Sequence, residues 1–379
     1  MKLIDRYVGW QIFTTALFAV SILSVVLVLG NVFKQLLELL VNSNAPLELI
    51  LSFVAYILPF SLTFTIPWGF LTAVLLVFGK MSAENELIAL RTSGVSIGRI
   101  CLPVLALALL CVGLCLWINV DVAPRAQVKM KDALYTIVTN NPLAMFDSDK
   151  VIEDFPGQKI YVESSHGEKL ENLHVYQMNN EDDAMQVIAA KRGRLSTDRN
   201  GRQILLHLYE GRLEQRNAAA PNEFLKVNRA TMDEATFAIS LKALYEKNRK
   251  RKGMSSMTVG ELIDRLDGAP EAALSERDAR ARAAQRSSAK TEIQKRFSFS
   301  LASLAFALIA VPLAITAHRK ETSIGFLFSL VVAFIYFLFI IIADTVKEKP
   351  EFRPELLVWL PNVLFIGIGL WMFHRLQRR

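Results

Sequence analysis

Two kinds of hydrophobic pattern divide this chain. Six stretches without a single charged residue, at 7–33, 49–79, 100–120, 297–317, 322–343 and 356–373, stand as two sets of three around a polar block of about 175 residues. The hydrocarbon core of a bilayer takes about 20 apolar residues per helix, and every stretch approaches or exceeds that length. Lipid offers no partner to backbone N–H and C=O groups, so each span is predicted to be helical and to satisfy them internally. Buried helices of a large soluble domain are a poor fit at these lengths. The first stretch is also too long for the apolar core of a cleaved signal peptide, and further spans follow at once.

Within the polar block, from about Asp121 to Leu241, the pattern changes to short alternating runs at 159–163, 173–176, 186–189 and 203–208. Period-two alternation bounded by Gly, Asn, Asp and Ser predicts strands, and the pairs Asn200-Gly201 and Glu210-Gly211 suit tight antiparallel connections. Beyond these strands, Thr258 and Glu261 have the spacing of a capping box that opens a helix through Asp264 and Leu266. An Ala/Arg/Glu-rich stretch at 275–295 is expected to be helical and to run into the fourth span. The expected fold is therefore a polytopic α-helical membrane protein of six transmembrane helices, three plus three, with an inserted all-β domain, a small sandwich or jellyroll-like fold. Its expected divisions are spans one to three over 1–122, the β-domain over 123–255, a helical connector over 256–295 and spans four to six over 296–379.

Charge gives an orientation. With the N-terminus inside, the short inner segments hold ten Lys and Arg: Lys2, Arg6, Lys80, Arg91, Arg99, Arg319, Lys320, Arg375, Arg378 and Arg379. The short outer loops hold four, Lys34, Lys347, Lys349 and Arg353. The asymmetry is expected to place both termini in the cytoplasm and the central block outside the cytoplasmic membrane, in a multi-pass protein. A basic run at Lys247, Arg249, Lys250, Arg251 and Lys252 falls in the outer block, where long translocated domains escape the rule; it reads as a solvated connector. The net charge of +7 is thus topological and gives no argument for nucleic acid.

Chemical motifs are sparse. All three cysteines, Cys101, Cys111 and Cys115, fall in the third span, which leaves none for a disulfide in the β-domain and reads as packing. The five histidines are dispersed, with no zinc-ligand spacing, and no Walker A sequence is present. No metal, catalytic residue or bound cofactor is expected, and no charged residue lies centrally in a span to act as an ion relay.

The most specific feature is the loop at 80–98. Ser82 is the expected N-cap of a short helix at about 81–95, Glu84 and Glu86 lie in its first turn where the helix dipole favours carboxylates, and Gly94 ends it. Leu87, Leu90 and Arg91 share one face. Such a helix is either a plain interfacial element or a coupling helix that docks on a cytosolic motor.

The loop reads Glu86-Leu-Ile-Ala-Leu-Arg-Thr-Ser-Gly-Val-Ser96 and resembles that of the LptF/LptG permeases of the lipopolysaccharide exporter, with Asn85 where a serine is usual. The resemblance continues through Leu58-Pro59 and Ile66-Pro67, Ile160-Tyr-Val-Glu163 with Leu170-Glu-Asn-Leu173, and Ile188-Ala-Ala190 with Gly193. Lys295-Arg-Phe297, Val311-Pro-Leu313 and Trp359-Leu-Pro-Asn362 complete it, in order, along nearly the whole chain. It implies a heterodimer with a second permease around a lipid-accepting cavity, driven by an LptB-type ATPase dimer that holds the ATP and Mg. It also implies a periplasmic jellyroll that passes lipopolysaccharide to LptC and LptA-like jellyrolls, without enzymatic chemistry in this chain. The ATPase-coupling residues would be Glu84, Glu86, Leu87, Leu90 and Arg91, with Glu86 central.

A phosphorylated glycolipid needs an apolar cavity for its chains and cations at the rim for its phosphates. Lys34, just after the first span, is the candidate cation, or else a snorkelling anchor. Phe33, Leu36, Phe60, Phe64, Phe326 and Phe328 are candidate cavity or gate residues, with simple packing as the alternative. Competing functions are a permease of another envelope ABC system, for lipoprotein release or mechanotransmission, and a non-transporting envelope scaffold. An intramembrane enzyme fits worse, since no nucleophile and base pair occurs at membrane depth.

Overall fold

In the computed structural model of the chain, the residues described are 3–42, 47–140, 146, 149–152, 158–178, 184–198, 203–216, 227–240, 253–267, 276–316 and 322–378. The uncharged stretches are helical, as the bilayer requires. Helix α1 covers Leu3–Asn42 and α2 Leu47–Ala83; a short α3, Glu86–Thr92, precedes α4 at Ile97–Trp117. One π-helical turn, Ile118–Val122, leads without a break into α5, Ala123–Asn140. After the strands come α6, Val259–Asp267, then α7, Glu276–Thr316, and α8, Thr322–Thr345, followed by the single turn α9, Pro354–Leu357, and by α10, Leu360–Gln377. Among the described residues six helical segments are long and apolar enough to cross a membrane.

One expected boundary moves. Residues 123–140, assigned to the β-domain, are helical, because that segment carries an amphipathic rather than an alternating pattern. The charged stretch before the fourth span is helical and runs into it, as its pattern predicts: α7 is one helix of 41 residues from its charged start into its apolar end. The capping box is present as read: Thr258 N–H donates to Glu261 Oε2 at 2.9 Å and Glu261 N–H to Thr258 Oγ1 at 3.3 Å.

By packing, the chain divides into two units, one of residues 1–35, 51–130 and 253–379, the other of 36–50 and 131–252. In the first, Tyr336 is fully buried among Phe299, Phe306 and Phe365, with ring centroids 5.1–6.1 Å apart. Several polar side chains inside this core are bonded between helices. Asn362 Nδ2 donates to the Ser298 carbonyl at 2.7 Å and to its Oγ at 2.9 Å, Ser298 Oγ to the Val358 carbonyl at 2.5 Å, and Asn119 Nδ2 to Ser300 Oγ at 3.0 Å. Ser24 and Thr65 share a buried hydrogen bond of 2.9 Å between α1 and α2. Nearby, Gly69 lets α1 approach closely: a Cβ there would lie 2.6 Å from Val20 Cγ2 and 2.9 Å from its backbone nitrogen.

In the second unit, strands β1 (Lys150–Ile152), β2 (Gln158–His166), β3 (Lys169–Met178), β4 (Ala184–Asp198), β5 (Gln203–Arg216) and β6 (Val227–Ser240) form one antiparallel sheet. They pair in chain order, so the jellyroll-like domain is connected as a meander. One face carries its core, including Ile160, Val162, Leu173, Ile188, Leu195, Ile204 and Leu206. The ladder breaks at one level across the sheet, where Glu163, Asn172, Lys191, Glu210 and Asp233 have no paired partner. At this crease two successive residues point outward and the buried positions are spaced by three, as in Leu170 and Leu173, Ala190 and Gly193, Leu208 and Gly211. Glu210-Gly211 is therefore not a turn. Glu210 sits inside β5 with φ 55, clasped by Arg192 and Lys191, which hold its carboxyl below the usual range through hydrogen bonds and charge. Residues 200 and 201 and the basic run at 247–252 lie outside the described residues.

The close approach at Gly69 yields a paired expectation. Gly69→Ala forces α1 away and should destabilise by about 1–3 kcal/mol, whereas Gly79→Ala, with nothing within 4 Å, should be neutral or stabilising by up to about 1 kcal/mol through helix propensity. Thermal unfolding of both variants in detergent checks this; equal melting temperatures would refute the close packing of the two helices.

Candidate functional site

The loop that joins the second and third spans is built differently from its expected form. Helix α2 continues to Ala83, so Ser82 is helical and does not cap α3. The turn is made at Asn85, in the left-handed region with φ 60 and without a side-chain cap bond, a conformation that asparagine tolerates better than most residues. Glu86 then opens α3, where the helix dipole favours its carboxylate. At the other end, Val95 N–H donates to the Leu90 carbonyl at 3.0 Å and Gly94 N–H to that of Arg91 at 2.9 Å, the Schellman arrangement, with Gly94 at φ 84 supplying the left-handed residue.

Seven residues cannot hold a helix in water unaided, and the packing supplies what is missing. Leu87 is 6% exposed and sits in the same core as Phe78, Met81, Ile97 and Ile100. Leu87, expected among the contact residues, thus lies on the side of α3 that faces its own chain. Leu90 is half-buried, packed on that core and lining a groove. The outward side consists of Glu84, Ile88, Ala89 and Arg91, with Glu84 3.9 Å from Lys80 in an exposed pair that contributes little. Ile88, 55% exposed, was not foreseen; its place about 100° around the short helix from Leu87, off the face that Leu87 and Leu90 share, was the available signal.

Helix α1 reaches the same loop. Tyr7 donates its hydroxyl hydrogen to Glu86, 3.2 Å from Oε1 and 3.3 Å from Oε2, and Arg99 meets Asp5 at 2.6 Å. Between α1 and α3 lies an open groove of about 940 Å³, lined by Leu3, Ile4, Arg6, Tyr7, Trp10 and Gln11 on one side and Glu86, Ala89, Leu90 and Ser93 on the other. The start of the chain and the loop therefore share one end of the bundle.

The candidate lipid residues divide. The side chains of Phe33, Lys34 and Leu36 lie outside the described residues. Phe64 is interlocked with Phe60, Phe299 and Phe337 at centroid distances of 5.1–5.9 Å. Phe328 packs on the core while Phe326 is 49% exposed. Among the described residues no group of three His, Cys, Asp or Glu is placed to hold a metal ion.

At the opposite end of the bundle two motif segments meet. Trp359 Nε1 donates to Gln294 Oε1 at 3.0 Å, next to Lys295, which bridges Glu292 at 2.9 Å and Asp344 at 3.1 Å. Arg296 donates to the carbonyls of Met254 and Ser255. Residues 6–375 match the family described as lipopolysaccharide export system permease LptF/LptG. The chain belongs to the LptF/LptG permease family. A search of curated proteins returned no match. Family and helices together make it a multi-pass inner-membrane permease, of a kind that acts in an ABC transporter for lipopolysaccharide export. In this LptF/LptG chain the Lys295-Arg-Phe297 and Trp359-Leu-Pro-Asn362 segments owe their positions to one hydrogen-bonded junction between α7 and α10.

If Leu87 anchors α3, then Leu87→Ala leaves a cavity worth about 2–5 kcal/mol at a fully buried site and should speed amide exchange over residues 86–92 by about tenfold or more. Ile88→Ala should leave those rates nearly unchanged. Indistinguishable exchange in the two variants would remove Leu87 as the anchor.

Proposed function

We propose that this chain is one of two related permeases that pair around a lipid-accepting cavity and extract lipopolysaccharide from the outer leaflet of the inner membrane. The observation that carries this reading is α3, a short helix fixed on the bundle by one buried face and presenting Ile88 and Arg91, with Glu86 at its edge and Glu84 exposed in the turn that precedes it. A plain interfacial helix has no need of a carboxylate at its first turn held by a second helix. A groove rich in basic side chains on a separate ATPase dimer complements it, and a carboxylate that accepts from Tyr7 retains lone pairs for an incoming guanidinium. ATP and Mg belong to that partner. Charge asymmetry supports cytoplasmic termini, a cytoplasmic α3 and a periplasmic sheet. On this orientation the sheet takes lipid from the membrane and passes it to LptC and LptA-like jellyrolls, and Lys34 stands at the outer rim to meet phosphates.

Purification of the chain from its native membrane in mild detergent, with mass spectrometry of bound proteins and lipids, is the direct test. Recovery of a second six-span permease, a P-loop ATPase and lipopolysaccharide is expected. Recovery of the chain with bulk phospholipid alone would favour the scaffold.

Two substitutions sharpen it. Glu86→Lys should keep the protein in the membrane but cost the docking contact about 2–5 kcal/mol, enough to abolish ATP-driven lipid release from proteoliposomes; wild-type release would sink the coupling assignment. Lys34→Glu should reduce photo-cross-linking to lipopolysaccharide by about tenfold while the complex still assembles. Undiminished cross-linking would leave Lys34 as a membrane anchor.

A further inference from the structure

Two polar contacts bring the start of α1 to the loop that carries α3, across 94 and 79 residues of sequence. The Arg99 guanidinium donates to Asp5 Oδ2 at 2.6 Å, and Asp5 is only 7% exposed. Asp5 is the buried member and Arg99 the part-exposed one, so removing Arg99 leaves a carboxylate without compensation, which separates the pair from the fully exposed Lys80–Glu84 pair. Tyr7, two residues after Asp5, shares its hydroxyl hydrogen between the two oxygens of Glu86 and so bridges the groove between the two helices. Both contacts flank α3, one at its first residue and one at the start of α4.

Helix α1 is suited to respond. No proline interrupts it between Leu3 and Asn42, so a displacement at its start is carried along the axis, about 45 Å from Asp5 to the level of Lys34 at 1.5 Å per residue. Its tight contacts with α2 lie part-way along, where Val20 meets Gly69 and Ser24 meets Thr65. Much of the rest of its surface, including Trp10, Leu17, Phe18, Ile22 and Val26, is exposed. A ligand shifts a conformational equilibrium only through contacts that differ between states, and these two contacts are the polar route by which a docked partner reaches α1.

We infer that Asp5, Arg99 and Tyr7 are positioning residues that make the first transmembrane helix follow the docking helix, so that movement of α3 is converted into movement of α1. The inference rests on the reading of α3 as the ATPase-docking element.

Two measurements test it. In the full chain in lipid nanodiscs without ATPase, the double variant Asp5→Asn/Tyr7→Phe should exchange the amides of residues 7–12 about tenfold faster than wild type, with residues 66–78 unchanged. In the complex reconstituted with its second permease and ATPase, Asp5→Arg and Arg99→Asp should each hydrolyse ATP at about the wild-type rate yet release about fivefold less lipopolysaccharide per ATP. The exchanged pair Asp5→Arg/Arg99→Asp should recover at least about half of that ratio, a rescue that mere loss of folding does not give. Unchanged exchange at residues 7–12, an unchanged ratio in the single reversals, or no recovery in the exchanged pair would each overturn the inference. Should the single reversals fail to reach the membrane, Asp5→Asn/Tyr7→Phe takes their place in the second measurement, with the same loss of ratio expected. A wild-type complex that hydrolyses ATP without releasing lipid would instead overturn the exporter reading, and the exchange rates would then decide the fastening by themselves.

Discussion

A hydrocarbon interior gives a polar group nothing to bond to, and the helical unit is arranged around meeting that demand between its own helices. Helix α7 is the place where most of the bonds meet. Ser298 receives Asn362 and donates to the Val358 carbonyl, Ser300 receives Asn119, Gln294 receives Trp359, and Lys295 ties Glu292 to Asp344. Each of these bonds has a direction, which apolar side-chain packing lacks. Helices that meet only lipid-like side chains can rotate or slide, but a bonded asparagine fixes both rotation and register. The continuity of α7 from its charged start to its apolar end follows from this role, since a break near 295 would separate the ion cluster from the serines that lie one turn further on.

What could be read from the sequence follows how local each determinant is. The spans are long enough to be unambiguous, and the Thr258–Glu261 capping box spans four residues. The caps of α3 were harder. Ser82 has the right chemistry, but the helix that precedes it has no stop signal before Asn85, so the serine stays inside α2. Asp5, Tyr7 and Arg99 gave no local sign of their partners and counted in the sequence only as an aromatic and charges near a span; tertiary packing alone brings them to the loop. The family motifs pointed to Trp359 and Asn362 without saying what they touch.

The strands show another limit. Alternation found one side of the crease in each strand, as at 159–163 or 203–208, and then lost the pattern, because the inward positions reset by one residue at Glu163, Asn172, Lys191 and Glu210. A reset in one strand alone would turn its apolar side chains to the wrong face. Made at the same level in neighbouring strands, it preserves register and keeps a single buried face on both sides of the crease. Left-handed Asn172 and Glu210 allow it, and the side chains there are bound across strands, Asn172 to Glu163 and Glu210 to Lys191 and Arg192. Read linearly, Glu210-Gly211 is indistinguishable from a hairpin turn; only the neighbouring strands reveal it as a bend.

Helix α3 joins these threads. Its seven residues have no side-chain N-cap and too few turns for independent stability, so its position is set by Leu87 in the core, by the Schellman turn at Gly94 and by Tyr7 at Glu86. Two turns held at both ends leave little length over which to bend, so a displacement passes to the contacts that hold the helix. Two of the three holds lie in the loop and its own core, and the third is on α1, which buries Val8 and Ile12 but leaves much of its surface exposed between residues 3 and 30. Of the three, the hold on α1 is the one through which a small helix at the end of the bundle can move a large one beside it.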